Sequence, residues 1–241
     1  MSTATGRVGS LLLLVAAVAV GAYLRFDGLG EPSYWLDEIL HQQLTTEAAG
    51  KPWWQWFGRL EPEHAGLYYL TQLITRILGT SEWAGRSAAA FFGLATIPLV
   101  WLGVRQQRMP AAHAVAAILL ATSPLHVYYS REARGYALLM FLTAALIVIL
   151  LRGRSLIAAC VVLLALLYTS AVASTVLVSA AAVSFLIAFF SREKRRWYAI
   201  TGACAMVALG WIRVIYISRP MTQPGLPGAP SMDLSFFASL A

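Results

Sequence analysis

Seven apolar stretches constrain this chain more than any other feature, because each is long enough, or nearly so, to cross a bilayer as a helix. The hydrocarbon layer is ~30 Å thick and takes about 20 mainly apolar residues to span. The chain is 59% hydrophobic and 12% charged, whereas a soluble domain carries about 25% charged residues. We therefore predict an all-α, polytopic membrane protein with about seven transmembrane helices. The predicted spans are roughly 8–25, 84–104, 111–128, 136–151, 155–171, 172–190 and 197–217, with a turn at 168–170 between the fifth and sixth.

Charge is distributed unevenly between the predicted loops. If the N-terminus is cytoplasmic, the inner segments hold nine basic residues and one acidic residue, and the outer segments hold nine basic and ten acidic residues. An excess of Lys and Arg in short inner loops is typical of membrane proteins. The net charge of +7 is therefore read as a topology signal, and we expect no nucleic-acid partner. Cys160 and Cys204 lie in apolar stretches, which favours buried small residues over a disulfide or a metal site.

The predicted transmembrane module covers residues 1–217, and an outer tail rich in Pro and Gly follows at 218–241. A large outer loop at 27–83 is both acidic and aromatic. Within it we predict short interfacial helices, one at Leu36–Ala49 and one at 51–60. Trp53, Trp54, Trp56 and Phe57 would lie along the bilayer surface, which amphipathic rings favour. A second outer loop, at 123–136, is small and densely polar.

Asp37 and Glu38 are adjacent carboxylates just beyond the first apolar stretch, in a chain with only 11 acidic residues. Charges close to hydrocarbon are costly to hold, which favours a functional reason for the pair. Acidic residues also stabilise the start of an ordinary helix. For this pair alone, both explanations stay open.

The second outer loop contains Arg131, Glu132 and Arg134. Arginines three residues apart share a face if the segment is helical, and their forked donors suit a phosphate. Glu132 could hold a metal ion or orient an arginine. A self-satisfied cluster that anchors a helix end at the membrane surface explains the same residues.

Four motifs, in order and all on the predicted outer side, together resemble one enzyme family. Residues 34–38 resemble the Asp-Glu motif of the type-C, polyprenyl-phosphate-dependent glycosyltransferases. The closest group is the protein O-mannosyltransferase and aminoarabinose-transferase superfamily of bacteria, of glycosyltransferase 39-type, and the chain resembles its N-terminal half. The other similar motifs are His-Ala-Gly-Leu-Tyr-Tyr at 64–69, Glu-Trp-Ala-Gly-Arg-Ser at 82–87, and the second-loop segment at 123–138.

The resemblance implies transfer of a sugar from a polyprenyl-phosphate donor to a hydroxyl acceptor, which could belong to a protein, a lipid or a glycan. It implies a bacterial inner (plasma) membrane protein with the active site facing outward. Asp37 and Glu38 would be catalytic, with Asp37 as the general base. Glu38 and Glu132 could hold a divalent cation such as Mg²⁺ or Mn²⁺. The expected substrate-binding residues are His64, Tyr68, Tyr69, Arg131, Glu132, Arg134 and Tyr136.

Two other classes of function remain open from the sequence. One is a non-catalytic remnant or membrane partner of a glycosyltransferase. The other is a flippase or transporter of lipid-linked sugars, which would favour charges deep within helices. Arg213 is the clearest such charge, while most ionisable residues gather at one face, as in a surface-facing enzyme.

Overall fold

The computed structural model describes residues 3–49, 72, 74–104, 112–152, 155–170, 172–190 and 195–212. Over these ranges the chain forms nine α-helices and one 3₁₀ turn, Arg76–Leu78, and no strand. The predicted all-α class is confirmed. The helices are α1 Thr3–Phe26, α2 Leu36–Ala49, α3 Glu82–Val104, α4 Ala112–Thr122, α5 Pro124–Ser130, α6 Tyr136–Arg152, α7 Leu156–Leu167, α8 Ala173–Phe190 and α9 Arg195–Ile212.

Among the described residues, three helical segments are long and apolar enough to cross a membrane: Val8–Phe26 within α1, all of α3, and all of α8. Helices α4, α6 and α7 are apolar but shorter. These apolar helices are compatible with the predicted polytopic membrane protein, and the number of about seven spans stays a prediction. The predicted helix at 51–60, the tail at 218–241 and Arg213 lie outside the described residues.

Two apolar cores hold the helices together. In the larger core, leucines such as Leu146, Leu163 and Leu177 join α6, α7 and α8. In the smaller core, Ile97 and Trp101 of α3 pack against alanines of α1 and α4. Small residues bring helix backbones close, which is how membrane helices gain van der Waals contact. The cysteines of α7 and α9 are free, with their Sγ atoms 3.7 Å apart.

The prediction of a single helix at 111–128 is wrong, because the helix is interrupted at Ser123. Helix α4 ends before it, and the Ser123 hydroxyl accepts a hydrogen bond from the His126 amide to begin α5. The buried Arg25 of α1 stabilises the break by donating to the Ala121 and Leu120 carbonyls, at 3.1 and 3.4 Å. Carbonyls at a helix end lack partners within the helix, so this guanidinium satisfies them.

Two other boundaries agree with those predicted from the sequence. Helix α2 has the predicted bounds, Leu36–Ala49. The predicted turn at 168–170 is confirmed, since α7 ends at Leu167 and α8 begins at Ala173. The start of α2 lies beside the start of α3 and the 131–135 segment, to which hydrogen bonds connect it.

Candidate active site at the helix ends

Three distant segments meet at one end of the helix bundle. They are the start of α2, the start of α3, and the segment 131–135 that links α5 to α6. Two ion pairs join them, and each uses one of the adjacent carboxylates Asp37 and Glu38. The structure therefore brings together the first-loop and second-loop motifs that the sequence separates by about a hundred residues.

The Glu38–Arg86 pair is buried. Arg86 donates to Glu38 through Nε at 2.9 Å and through a terminal nitrogen at 2.6 Å, in a two-pronged geometry. The Ala133 amide donates to the same carboxylate at 2.7 Å, and the Trp35 amide donates at 3.4 Å. Only 1% of the Glu38 side chain is exposed. This carboxylate accepts four hydrogen bonds and thereby connects the three segments.

Arg86 also fixes the chain that leads from α1 into α2. Its terminal nitrogens donate to the carbonyls of Leu29 at 3.1 Å, Pro32 at 2.7 Å and Ser33 at 3.3 Å. Its guanidinium lies 5.1 Å from the centre of the Tyr34 ring. A planar cation with five donors can bind a carboxylate and several carbonyls at once, which Lys could not. The sequence motif at 82–87 contained Arg86, but no role was predicted for it.

Tyr34 closes this buried region from the side of α3. Its hydroxyl donates to the Ser81 carbonyl at 3.3 Å. Burial raises the pKa of Tyr34 to about 12, although the Arg86 cation opposes the shift, so the phenol stays neutral. A Cβ on Gly85 would collide with the Tyr34 hydroxyl, which explains why α3 needs glycine there.

The Asp37–Arg134 pair is more open. The two side chains meet at 2.9 Å, and 38% of the Asp37 side chain is exposed, against 13% for Arg134. The guanidinium of Arg134 lies 5.6 Å from the Trp35 ring centre and 4.7 Å from that of Tyr136. Tyr129 in turn packs edge-on against Tyr136 at 4.9 Å. An accessible carboxylate, a cation and aromatic faces thus share one surface.

The predicted pairing of Arg131 and Arg134 on one helical face is wrong. Helix α5 ends at Ser130, and residues 131–135 are not helical. Arg131 turns toward the end of α1, where it donates to the Leu24 carbonyl at 3.0 Å and the Asp27 carbonyl at 2.6 Å. These contacts fit the anchoring explanation, because cations favour the C-terminal end of a helix.

Glu132 is buried, and its Oε2 has no hydrogen-bond partner among the described residues. Burial raises the pKa of the Glu132 carboxyl, and the charges of Glu38 and Asp37 add to that rise. The Tyr128 hydroxyl and the Arg134 cation act in the opposite direction. The result is a carboxyl that holds a proton more readily than a free one.

Some predicted site residues cannot be located in this geometry. His64, Tyr68 and Tyr69 lie outside the described residues. The described part of the chain contains no group of three or more His, Cys, Asp or Glu residues that could hold a metal ion. The divalent cation expected at Glu38 and Glu132 stays a prediction.

The fold and this site define a polytopic membrane protein with a charged, aromatic surface at its helix ends. A family model described as dolichyl-phosphate-mannose-protein mannosyltransferase matches residues 65–212, more than half of the chain. The chain belongs to this family, as its motifs suggested, and is a membrane glycosyltransferase of the mannosyltransferase type. Asp37 and Glu38 precede the matched range. Searches of curated proteins and of solved structures found no match.

Proposed function

We propose that this protein transfers a sugar from a polyprenyl-phosphate donor to a hydroxyl acceptor, with Asp37 as the general base. The observation that carries the proposal is the Asp37–Arg134 pair, a partly exposed carboxylate held 2.9 Å from a cation on an aromatic surface. A base must reach the proton that it abstracts, and Asp37 is the more accessible of the two adjacent carboxylates. We propose that Glu38 positions the site and takes no proton.

The proposed step balances as a displacement at the anomeric carbon. The acceptor oxygen bonds to that carbon while its proton passes to an Asp37 oxygen. The bond from the anomeric carbon to the phosphate oxygen breaks, and its electron pair leaves with the polyprenyl phosphate. A hydroxyl is a weak nucleophile unless a base removes its proton during attack, which assigns the main chemical task to Asp37.

Arg134 would stabilise the leaving phosphate. Its planar guanidinium suits a phosphate, and its aromatic neighbours Trp35 and Tyr136 provide surfaces on which a sugar could rest. A donor phosphate would compete with Asp37 for this cation. Binding of the donor would therefore release the carboxylate in the same event that places the phosphate, so that the base becomes available when it is needed.

The remaining predicted residues take supporting roles in this proposal. His64, Tyr68 and Tyr69 would contact the donor or the acceptor, on the strength of the motif at 64–69. If a Mg²⁺ or Mn²⁺ ion takes part, Glu132 suits it better than Glu38. Glu132 has an oxygen with no hydrogen-bond partner among the described residues, whereas Glu38 accepts four hydrogen bonds. Such an ion would supply positive charge near the leaving phosphate.

The proposed orientation places this site at the outer, periplasmic face of a bacterial inner membrane, with the N-terminus in the cytoplasm. Its support is the charge distribution of the sequence, in which the inner loops hold nine basic residues and one acid. A lipid-linked donor would then reach Arg134 from within the bilayer, and the acceptor would approach from water.

A transfer assay on the full chain in lipid nanodiscs tests the donor class. Polyprenyl-phosphate mannose should support transfer to a hydroxyl acceptor, and a nucleotide-linked mannose should not. The Asp37→Asn variant is the control for chemistry at this site, since it keeps the shape and cannot accept the proton. Equal transfer from the nucleotide-linked sugar would rule out the proposed donor.

A further inference from the structure

Helix α5 is held against α1 near both of its ends, by one arginine at each. At its start, Arg25 of α1 donates to Nδ1 of His126 at 2.7 Å. Just past its end, Arg131 donates to two carbonyls at the end of α1, at 3.0 and 2.6 Å. The chain then runs on to Arg134, the cation that would meet the donor phosphate. The position of α5 against α1 therefore bears on the position of Arg134.

The contact with Arg25 fixes the protonation of His126. A guanidinium can only donate, so Nδ1 must accept, and the ring is neutral with its hydrogen on Nε2. The side chain is 5% exposed, and Nε2 has no hydrogen-bond partner among the described residues. In that part of the chain, the contact with Arg25 is therefore the one hydrogen bond of the imidazole.

Arg25 is fixed independently of His126. It is fully buried, and it donates to the Gly21 carbonyl in its own helix at 2.9 Å and to the Ala121 carbonyl at the end of α4 at 3.1 Å. These bonds hold the guanidinium where α1 and α4 meet. Through Nδ1, His126 connects α5 to this fixed point.

Tight packing against α3 limits how α5 can move. A Cβ on Gly93 of α3 would collide with the hydroxyl of Ser130, the last residue of α5, and would lie 3.2 Å from Nε of Arg25. Ser130 itself is fully buried. Because α5 has only seven residues joined by helical hydrogen bonds, we expect it to move as a unit. A displacement at His126 should therefore reach the segment that carries Arg134.

We propose that His126 is a positioning residue for the reaction, which through Nδ1 and Arg25 holds α5 so that Arg134 meets the donor phosphate. The inference rests on the proposed function of Arg134. Displacement of a catalytic group by about 1 Å can cost roughly 100-fold in rate, even when the change lies far from the reacting atoms. His126 has this effect without touching the donor or the acceptor.

A purely space-filling role is the alternative, and another histidine provides an example of it. His113 of α4 is also buried, and its ring packs edge-on against that of Trp101, with the ring centres 5.4 Å apart. Neither ring nitrogen of His113 has a hydrogen-bond partner among the described residues. Loss of the His113 imidazole thus removes packing, and it is the matched control for loss of the His126 imidazole.

Two substitutions of similar shape separate the hydrogen bond from packing. His126→Asn places an amide oxygen close to the position of Nδ1, whereas His126→Leu fills the space without an acceptor. In nanodiscs, transfer from polyprenyl-phosphate mannose per folded molecule should stay close to wild type in His126→Asn and fall roughly 10- to 100-fold in His126→Leu. His113→Leu should lower the melting temperature but leave turnover per folded molecule unchanged.

A distance measurement reports the position of α5 without any transfer. Spin labels are attached at Leu125→Cys in α5 and Phe190→Cys at the end of α8, both exposed positions, after the two native cysteines are replaced by alanine. Double electron–electron resonance should give the same distance with His126 and with His126→Asn, and a displaced or broader distribution with His126→Leu. If His126→Leu does not fold, His126→Gln takes its place, because its amide reaches the position of Nε2 and not that of Nδ1.

Unchanged turnover in the folded His126→Leu chain would overturn the proposal, as would an equal loss of turnover in His126→Asn. A loss of turnover in His126→Leu with an unmoved α5, or a loss of the same size in His113→Leu, would also overturn it. Failure of transfer in the wild-type chain would contradict the proposed function. Even then, an α5 that moves in His126→Leu supports the positioning by His126, and an α5 that stays in place overturns it, so the two failures are distinguishable.

Discussion

Asp37 and Glu38 are neighbours in sequence, yet they belong to two different kinds of ion pair. Glu38 is buried with Arg86 and accepts hydrogen bonds from four donors. Asp37 is partly exposed and meets Arg134 through one contact of 2.9 Å. Since successive residues on a helix differ by about 100° in direction, one carboxylate faces the protein and the other faces its surface.

The contrast between the buried and the exposed ion pair indicates two different roles for the adjacent carboxylates. A buried pair is costly to break, because removal of one partner leaves a charge without water or counter-ion. A partly exposed pair contributes about 0–1 kcal/mol to stability and separates at little cost. The buried pair is therefore suited to fix the geometry, and the exposed pair is suited to exchange partners with a substrate.

The largest expected effect is on the buried pair. Arg86→Met or Glu38→Leu alone should lower the free energy of unfolding by about 3–5 kcal/mol, because the remaining charge is buried without a partner. The double variant should lose less than either single change, since neither charge remains. Urea unfolding in detergent, monitored by circular dichroism, measures all three. Additive losses in the double variant would show that the pair does not act as a unit.

A moderate effect is expected from conservative changes at the two arginines. Arg134→Lys should weaken binding of polyprenyl phosphate roughly 10-fold, because lysine keeps the charge but loses the planar fork, and this costs about one charge-assisted hydrogen bond. Arg131→Lys is the matched control. It should leave binding unchanged, since a lysine can still reach the carbonyls at the end of α1. Equal weakening of polyprenyl-phosphate binding in both variants would show that Arg131 also contacts the donor.

The smallest effect concerns Glu132 and pH. Its pKa is raised above the ordinary 4.5, so the folded state holds the proton better than the unfolded state. This stabilisation is complete below pH 4.5 and is lost as pH rises through the raised pKa. Glu132→Gln should therefore raise the apparent melting temperature at pH 7 relative to wild type, and the gain should shrink toward pH 4. A gain that grows as pH falls would contradict the assigned shift.

Local patterns were enough to predict part of this architecture. The bounds of α2 and the turn at 168–170 were predicted from residues that lie close together in the sequence. The all-α membrane class follows from apolar stretches of spanning length. The candidate carboxylates Asp37 and Glu38 were found because a charge at the end of a membrane helix is rare and costly.

Long-range contacts explain what the sequence could not predict. Glu38 binds Arg86, which is 48 residues away, and no local pattern indicates this pairing. Arg25 stabilises the break at Ser123, although it is 96 residues from the Ala121 carbonyl that it contacts. The Ser123-Pro124 step is a helix-start signal that could have revealed the break. A spacing of three between Arg131 and Arg134 indicated a shared face only because a helix was assumed.

The most direct test of the division between the two carboxylates compares Asp37→Asn with Glu38→Gln in one preparation. Transfer from polyprenyl-phosphate mannose is measured per folded molecule, beside the apparent melting temperature. We expect Asp37→Asn to melt like wild type and to lose roughly 10²- to 10⁴-fold in turnover, as for loss of a general base. We expect Glu38→Gln to melt at a lower temperature and to lose less turnover per folded molecule. Near-wild-type turnover in Asp37→Asn, or the reverse pattern in the two variants, would contradict the assignment of the base.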